Sequence, residues 1–448
     1  MTNRTSRRSF LKQAAIGSVT APLVLTSLAH GAPSDRLNIA AVGVGGKGRG
    51  DIESTSVGQN VVAICDVDER TLGDAEKKYP DAKAYTDWRK MLEQKDIDAV
   101  TVSTPDHMHA PVAVSAMQLD KHVYVQKPLA HTIFEARQMR LLAKKYGVVT
   151  QMGNQGHSGN GYRTLVKLVQ DGVIGKVQEA HAWSDRPIWP QGIERPATSD
   201  PVPDYLHWDL WLGVAKARPF VGPKPDSKRG RGLYHPFNWR GWLDFGVGAL
   251  GDMGCHIIDP VVWSLELGAP TRVWSDGPAP NSETYPNWGT IHFEFPQSKY
   301  TANESIRMTW YDGGKKPHRE LARLPKNENL PDNGCLLIGN KGVLLCRHGG
   351  SPVLLPKGDF ADYNIEAVKG DDHYMQWTSA CKGTGATTSH FDYAGPLTET
   401  VLLGTIAIRF PEEKLEWNSN ALKFKNNEAA STFVHHEYRE DWKMEALT

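Results

Sequence analysis

Leu37-Asn38-Ile39-Ala40-Ala41-Val42-Gly43-Val44-Gly45-Gly46-Lys47-Gly48-Arg49-Gly50 decides the fold. Leu37 to Val42 is an apolar run short enough for a strand buried on both faces. Gly43, Gly45 and Gly48 then stand in the spacing G-x-G-x-x-G. The first glycine turns tightly out of the strand, the second lets the backbone approach a pyrophosphate, and the third lets the next helix pack closely on the strand. The helix N-terminus opened by this turn offers unpaired N–H groups to phosphates. Gly46, Lys47 and Arg49 belong to the same loop and are counted with the cofactor contacts. A second apolar run, Val61 to Cys65, ends in Asp66, some 18 residues past Gly48. A carboxylate about 20 residues on is where an adenosine ribose 2′-hydroxyl is held. Strand, loop and acid together predict a dinucleotide site for NAD.

Outward from this stretch the chain alternates strand and helix as far as Gly153. Strands are expected at Leu37–Val42, Asn60–Cys65, Lys83–Tyr85, Ala99–Ser103, His122–Val125 and Val148–Met152. Such alternation means βαβ units and a parallel, doubly wound sheet, with ligands at the carboxyl ends of the strands. After Gly153 the rhythm changes. A helix at Tyr162–Gln170 and a strand at Lys176–Trp183 precede an irregular stretch, 184–245, rich in Pro, Gly and Trp. A helix at Gly248–Leu267 follows, then strand-like runs at Arg272–Ser275, Gly289–Phe295, Ser305–Trp310, Cys335–Ile338 and Val343–Arg347, and helices at Asp372–Cys381 and Pro396–Ile408. Strands without intervening helices predict a large open, mainly antiparallel sheet. The expected organisation is a signal segment over 1–32, an NAD-binding domain over 33–153, and an α/β domain for substrate and oligomerisation over 154–448.

With 51 basic and 51 acidic residues in 448, the chain lacks the basic face that nucleic acid requires. The five cysteines are scattered without metal-type spacing. Ser6-Arg7-Arg8-Ser9-Phe10-Leu11-Lys12 has the twin-arginine export pattern, and the stretch Ala14 to Ala29 behind it is too short and too weakly apolar for a secure membrane span. An exported, periplasmic protein without a stable membrane span is expected, folded and loaded with cofactor before export.

The loops after the strands carry the chemistry. Thr104-Pro105-Asp106-His107-Met108-His109, Gln126-Lys127-Pro128 and Gly153-Asn154-Gln155-Gly156-His157 should open into one crevice. Thr104, Pro105, His107, His109, Gln126 and Lys127 are read as cofactor contacts. Lys127, just after a buried strand, is also placed to exchange protons. Asp252 and His256 lie four residues apart on one helical face, where a carboxylate orients a histidine and favours its protonated form. That pair suits a proton relay to an alcohol under oxidation. Asn154, His157, Tyr162 and Trp239 are expected on the substrate side with Asp252 and His256. His107, His109 and His157 complete no metal-type spacing, so no metal is expected. Six of the 14 tryptophans fall between residues 183 and 242. One or two should face the site as flat platforms for a sugar ring, and the rest should pack the loop.

These residues resemble the glucose–fructose oxidoreductase, inositol dehydrogenase and rhizopine-catabolism (Gfo/Idh/MocA) family. The likeness extends to Trp239-Arg240-Gly241-Trp242, to Leu397–Arg409 and to Tyr438-Arg439-Glu440-Asp441-Trp442. The resemblance implies NAD(P)-linked chemistry on a sugar, glycoside or polyol, a catalytic group of Lys127, Asp252 and His256, and a homo-oligomer, either dimer or tetramer. One position departs from the family pattern: Gln126 stands where Glu precedes the Lys-Pro pair. Without that anion Lys127 is expected to hold its proton less firmly. Three activities are consistent with the sequence: a dehydrogenase, a glycosidase or lyase that oxidises its sugar transiently, and a non-catalytic sugar-binding relative.

Overall fold

The computed structural model describes residues 36–224, 227 and 230–447. The twin-arginine segment lies outside the described residues. The alternating half forms β1 (Asn38–Val42), α1 (Gly46–Thr55), β2 (Asn60–Cys65), α2 (Glu69–Lys78), β3 (Lys83–Tyr85), α3 (Trp88–Met91), β4 (Ala99–Val102), α4 (His109–Gln118), β5 (His122–Val125), α5 (Ile133–Tyr146) and β6 (Thr150–Met152). The six strands order as β3-β2-β1-β4-β5-β6 and pair in parallel throughout. The order reverses between β1 and β4, which opens a crevice at their carboxyl ends. β4 and most of β1 and β5 are buried, which explains why they read as unbroken apolar runs. Helix α5 shows the local logic plainly. Thr132 and Glu135 form a reciprocal capping box at its start, and Gly147 ends it in the left-handed conformation.

The remaining elements are α6 (Asn160–Gln170), β7 (Val177–Trp183), α7 (Trp208–Leu212), α8 (Gly248–Ile257), α9 (Asp259–Leu265), β8 (Arg272–Asp276), β9 (Thr290–Pro296), β10 (Ser305–Tyr311), β11 (Gly334–Gly339), β12 (Val343–Arg347), β13 (Pro352–Leu355), α10 (His373–Cys381), α11 (Phe391–Ala407), β14 (Leu415–Asn418), β15 (Lys423–Phe424) and α12 (Glu428–Ser431). Nine strands order as β13-β12-β11-β7-β10-β9-β8-β14-β15. Only β7 and β10 pair in parallel; the others are antiparallel, so the second sheet is mixed.

Several sequence boundaries shift for physical reasons. The helix expected over Gly248–Leu267 is two helices, because Pro260 has no N–H for the carbonyl of His256 and sits in the first turn of a new helix. Pro396, read as a helix start, lies inside α11, which begins at Phe391. The short strands β13, β14 and β15 carry too little pattern to be read. The irregular stretch contains α7 and a single turn at Asn238–Gly241.

The second half also returns to the first sheet. Arg137 on α5 donates from Nε to Glu399 on α11 at 2.7 Å, and Tyr374 on α10 donates to Asp51 on α1 at 3.1 Å. Trp442 packs on Trp88 with ring centroids 6.5 Å apart, so the C-terminal segment docks on the alternating half. Among the described residues no helix is long and apolar enough to cross a membrane, and no group of His, Cys, Asp or Glu is arranged to hold a metal ion.

Candidate active site

The crevice at the β1/β4 switch is a cleft of about 680 Å³. Its floor is the glycine loop. Gly43 has φ +79°, and a Cβ there would lie 2.7 Å from the Ser103 carbonyl oxygen. Gly48 does not line the cleft; a Cβ on it would fall 1.8 Å from the Gly43 carbonyl oxygen, so its job is to let α1 sit against the turn. Asp66 lines the cleft and ties the loop in place. One oxygen accepts the Val44 N–H and the other the Asp68 N–H, each at 3.0 Å. Burial raises its pKa, against the pull of those N–H groups and of His235. Arg70, near Asp66 in sequence, is committed elsewhere: it forks onto Asp68 at 3.1 and 2.8 Å and lies 3.6 Å over the Tyr205 ring.

Gly45, Gly46, Lys47, Arg49, Thr104, Pro105, His109, Gln126 and Lys127 also line the cleft. His109 bridges the loops after β4 and β5, its ring nitrogens 2.8 Å from the Pro128 carbonyl and 2.9 Å from that of Thr104. Burial pushes its pKa down to about 4, against the pull of the two carbonyls, and a neutral ring has one N–H to donate to one of them. The buried Thr104 hydroxyl has no partner within the described protein.

At the inner end Lys127 Nζ donates to Asp252 twice, to the side chain at 2.8 Å and to the backbone carbonyl at 2.7 Å. Arg240 adds a bond from Nε to the same carboxylate oxygen at 3.2 Å, and its guanidinium lies 4.3 Å from the Trp239 ring. Burial opposes ionisation of Asp252, but Lys127, Arg240 and the Lys127 hydrogen bond hold it well below the usual carboxylate range. Two expectations are corrected here. Lys127 does have a neighbouring anion, because Asp252 supplies one. Asp252 does not hold His256 protonated: its side chain is taken up by cations, and burial together with Lys127 and His348 keeps His256 well below the ordinary 6.5. His256 thus lines the cleft as a neutral ring, and its buried Nδ1 has no partner among the described residues.

Gln126 is explained by a residue the sequence did not single out. Asp51 on α1 is fully buried and accepts from Gln126 Nε2 at 2.8 Å, Ser103 Oγ at 2.8 Å, Tyr374 and Lys47. The carboxylate absent at 126 therefore stands opposite it, four residues after Lys47. Asp106 was likewise passed over. It lines the cleft, and burial raises its pKa to about 7 against Lys127 and Arg240.

Six expected site residues do not line the cleft: Gly48, Asp252, which reaches it through Lys127, and four more. His107 is buried, its ring nitrogens 3.3 Å from the Phe245 carbonyl and 3.2 Å from that of Trp211, one of which its single N–H can serve when the ring is neutral. His157 stacks on Trp263 with centroids 4.0 Å apart and donates from Nδ1 to Asp259 at 3.0 Å. Asn154 donates to the same carboxylate at 3.2 Å and accepts from Ser389 at 2.6 Å. Tyr162 is buried and reaches His348 at 3.0 Å. Loop position alone could not tell a saturated polar group from an open one.

The segment after Trp183 supplies the outer wall. Tyr205 O accepts from Glu69 N at 2.8 Å, Val67 O from His207 N at 2.9 Å, and His235 Nε2 meets Asp68 at 3.1 Å. These bonds strap it beside Asp66. Of its five tryptophans, Trp211 and Trp239 line the cleft and the others, like Trp183 before it, do not.

Residues 37–154 match a family model described as an oxidoreductase family with an NAD-binding Rossmann fold, and residues 160–301 match its C-terminal alpha/beta domain. Together these cover more than half of the chain. The inositol 2-dehydrogenase of Salmonella typhimurium is 31% identical over 150 residues, 32% of this chain and 45% of that protein. A glycosyl hydrolase family 109 protein of Shewanella pealeana is 28% identical over 209 residues, 40% of this chain and 46% of that protein. The matched segment thus spans about half the length of these curated relatives. Among solved structures, the WlbA dehydrogenase from Bordetella pertussis, crystallised with NADH and UDP-GlcNAcA, aligns with a TM-score of 0.60 at 15% identity, covering 87% of this chain and 99% of that one. The aldose-aldose oxidoreductase from Caulobacter crescentus aligns at 0.54 and 15% identity, covering 85% and all of its chain.

Proposed function

The chain belongs to the Gfo/Idh/MocA oxidoreductase family, whose Rossmann domain binds NAD, and from that premise we propose that it oxidises a hydroxyl of a sugar, glycoside or polyol. The observation that carries this reading is one continuous cleft. The glycine loop and Asp66 lie at one end, and the Lys127–Asp252 pair and the unpartnered His256 Nδ1 at the other. The residues present fit the dinucleotide: a side chain at Gly43 or Gly45 would collide with neighbouring residues, and the Thr104 hydroxyl in the cleft lining has no partner within the described protein. Gly43, Gly45, Gly46 and the α1 N-terminus would hold the pyrophosphate, and Asp66 the ribose diol. Asp66 repels a 2′-phosphate and Arg70 is held on Asp68, so NAD is favoured over NADP. When bound, NAD supplies the hydride acceptor.

The chain's own groups handle the proton. His256 is neutral and takes it from the substrate hydroxyl. The Lys127 ammonium, pinned by Asp252, donates toward the oxygen as negative charge develops there. Arg240 and Trp239 present a charged edge and a flat face to the ring.

A second reading is favoured by the strap over residues 67–69 and by the likeness to a family 109 glycosyl hydrolase: oxidation and re-reduction within one cycle, releasing an aglycone without net NADH. The twin-arginine segment supports export with cofactor already loaded, and an exported enzyme must retain its cofactor. The experiment is dialysis of purified protein, followed by sugars and glycosides without added cofactor, tracking NADH absorbance and aglycone together. Retained NAD that is reduced supports the dehydrogenase, and aglycone without NADH supports the closed cycle. Retained NAD that no sugar or glycoside reduces, with no aglycone released, overturns both in favour of a binding protein.

A further inference from the structure

Beside His256, half-buried and outside the residues that line the cleft, stands a second histidine that no spacing in the sequence reveals. His348 follows β12, and its ring centroid lies 5.3 Å from that of His256, the planes tilted by 43°. Behind it, the buried Tyr162 hydroxyl is 3.0 Å from His348 Nδ1. With the phenol O–H donating to it, Nδ1 accepts and Nε2 carries the hydrogen. Burial, Arg186 and Lys127 all act against a charged ring, so His348 is neutral like its neighbour. Two neutral imidazoles thus stand side by side. One presents an N–H held in orientation from behind, and the other has a ring nitrogen without a partner. Two neighbouring hydroxyls of one ring can engage both; an isolated alcohol cannot.

We propose that His348 contacts the substrate, its Nε2–H holding the hydroxyl adjacent to the one oxidised, with Tyr162 as its positioning residue. The inference rests on the hydroxyl-oxidising reading above and narrows it to sugars or polyols with vicinal hydroxyls. Tyr162, expected to touch substrate, acts through His348.

The test uses NAD-loaded protein, a panel of hexoses and inositols, and their monodeoxy analogues. Removing the adjacent hydroxyl should cost the wild type about tenfold in kcat/KM, mainly through KM, as for one neutral hydrogen bond to substrate. His348→Ala should show the same loss on the parent sugar and no further loss on the deoxy analogue. His348→Gln, which keeps a donor at a similar reach, should recover most of it. Tyr162→Phe should raise KM part-way and leave NAD retention unchanged. A His348→Ala enzyme that still distinguishes parent from deoxy sugar as sharply as wild type overturns the inference and leaves the dehydrogenase standing. A wild type that reduces its NAD with no member of the panel overturns the reading itself, and the inference falls with it.

Discussion

His157 and His256 both follow from sequence as site residues, and the structure treats them oppositely. His157 is buried, stacked on Trp263 and bonded to Asp259, which is itself met by Asn154 and Tyr393. His256 lines the cleft with Nδ1 unpartnered, while the carboxylate four residues before it serves Lys127 and Arg240. The first lies wholly after Gly153 and uses its hydrogen-bonding capacity to hold elements of the second half to one another; the second joins the two halves through Lys127 and Asp252 and leaves a buried ring nitrogen beside the cleft without a partner. A buried polar group without a partner costs about 1–3 kcal/mol, and His256 Nδ1 and Thr104 Oγ1 are such groups on residues that line the cleft.

The largest expected effect separates the two regions by activity. His256→Ala or Lys127→Met should lower turnover by about 10²–10⁴, the range for general acid–base work, while His256→Ala keeps its fold and its NAD. Near-normal turnover in both variants breaks the contrast. Next comes the closed region. Asp259→Asn weakens the hydrogen bonds that His157, Asn154 and Tyr393 make to a buried carboxylate and should cost about 3 kcal/mol in urea unfolding. Any fraction that folds should oxidise substrate with an unchanged KM. A stable variant with a raised KM would make this region part of the site.

A smaller effect tests the other saturated node. Gln126→Glu removes a donor from buried Asp51 and sets a second carboxylate against it, costing about 1–3 kcal/mol. Adding Asp51→Asn should restore most of that loss, because one acid and one amide again face each other. The smallest effect is on pH dependence. His256 has its pKa depressed by burial and neighbouring cations, so its base form persists as pH falls below 6.5. Between pH 7.5 and 6 the wild-type rate should change by less than about twofold. An acid limb centred at 6.5 or above places the titrating group elsewhere.

How much was legible follows the range of the interactions. The glycine spacing, Asp66 and the first-sheet strands depend on backbone sterics and on burial patterns within a few residues, and the structure reproduces them closely. The i, i+4 placement of Asp252 and His256 is a property of one helix and was equally readable. What those side chains do was not, since Lys127 meets Asp252 across 125 positions, His157 meets Asp259 across 102, and Tyr374 meets Asp51 across 323. His348 carried no signal at all, being a loop residue brought to His256 only by the pairing of the second sheet. The sequence by itself determined that this chain builds a dinucleotide cradle beside a Lys, an Asp and a His. Only the tertiary structure decided which polar groups are saturated and which stay open, because a hydrogen bond is satisfied by whatever folding brings within about 3 Å.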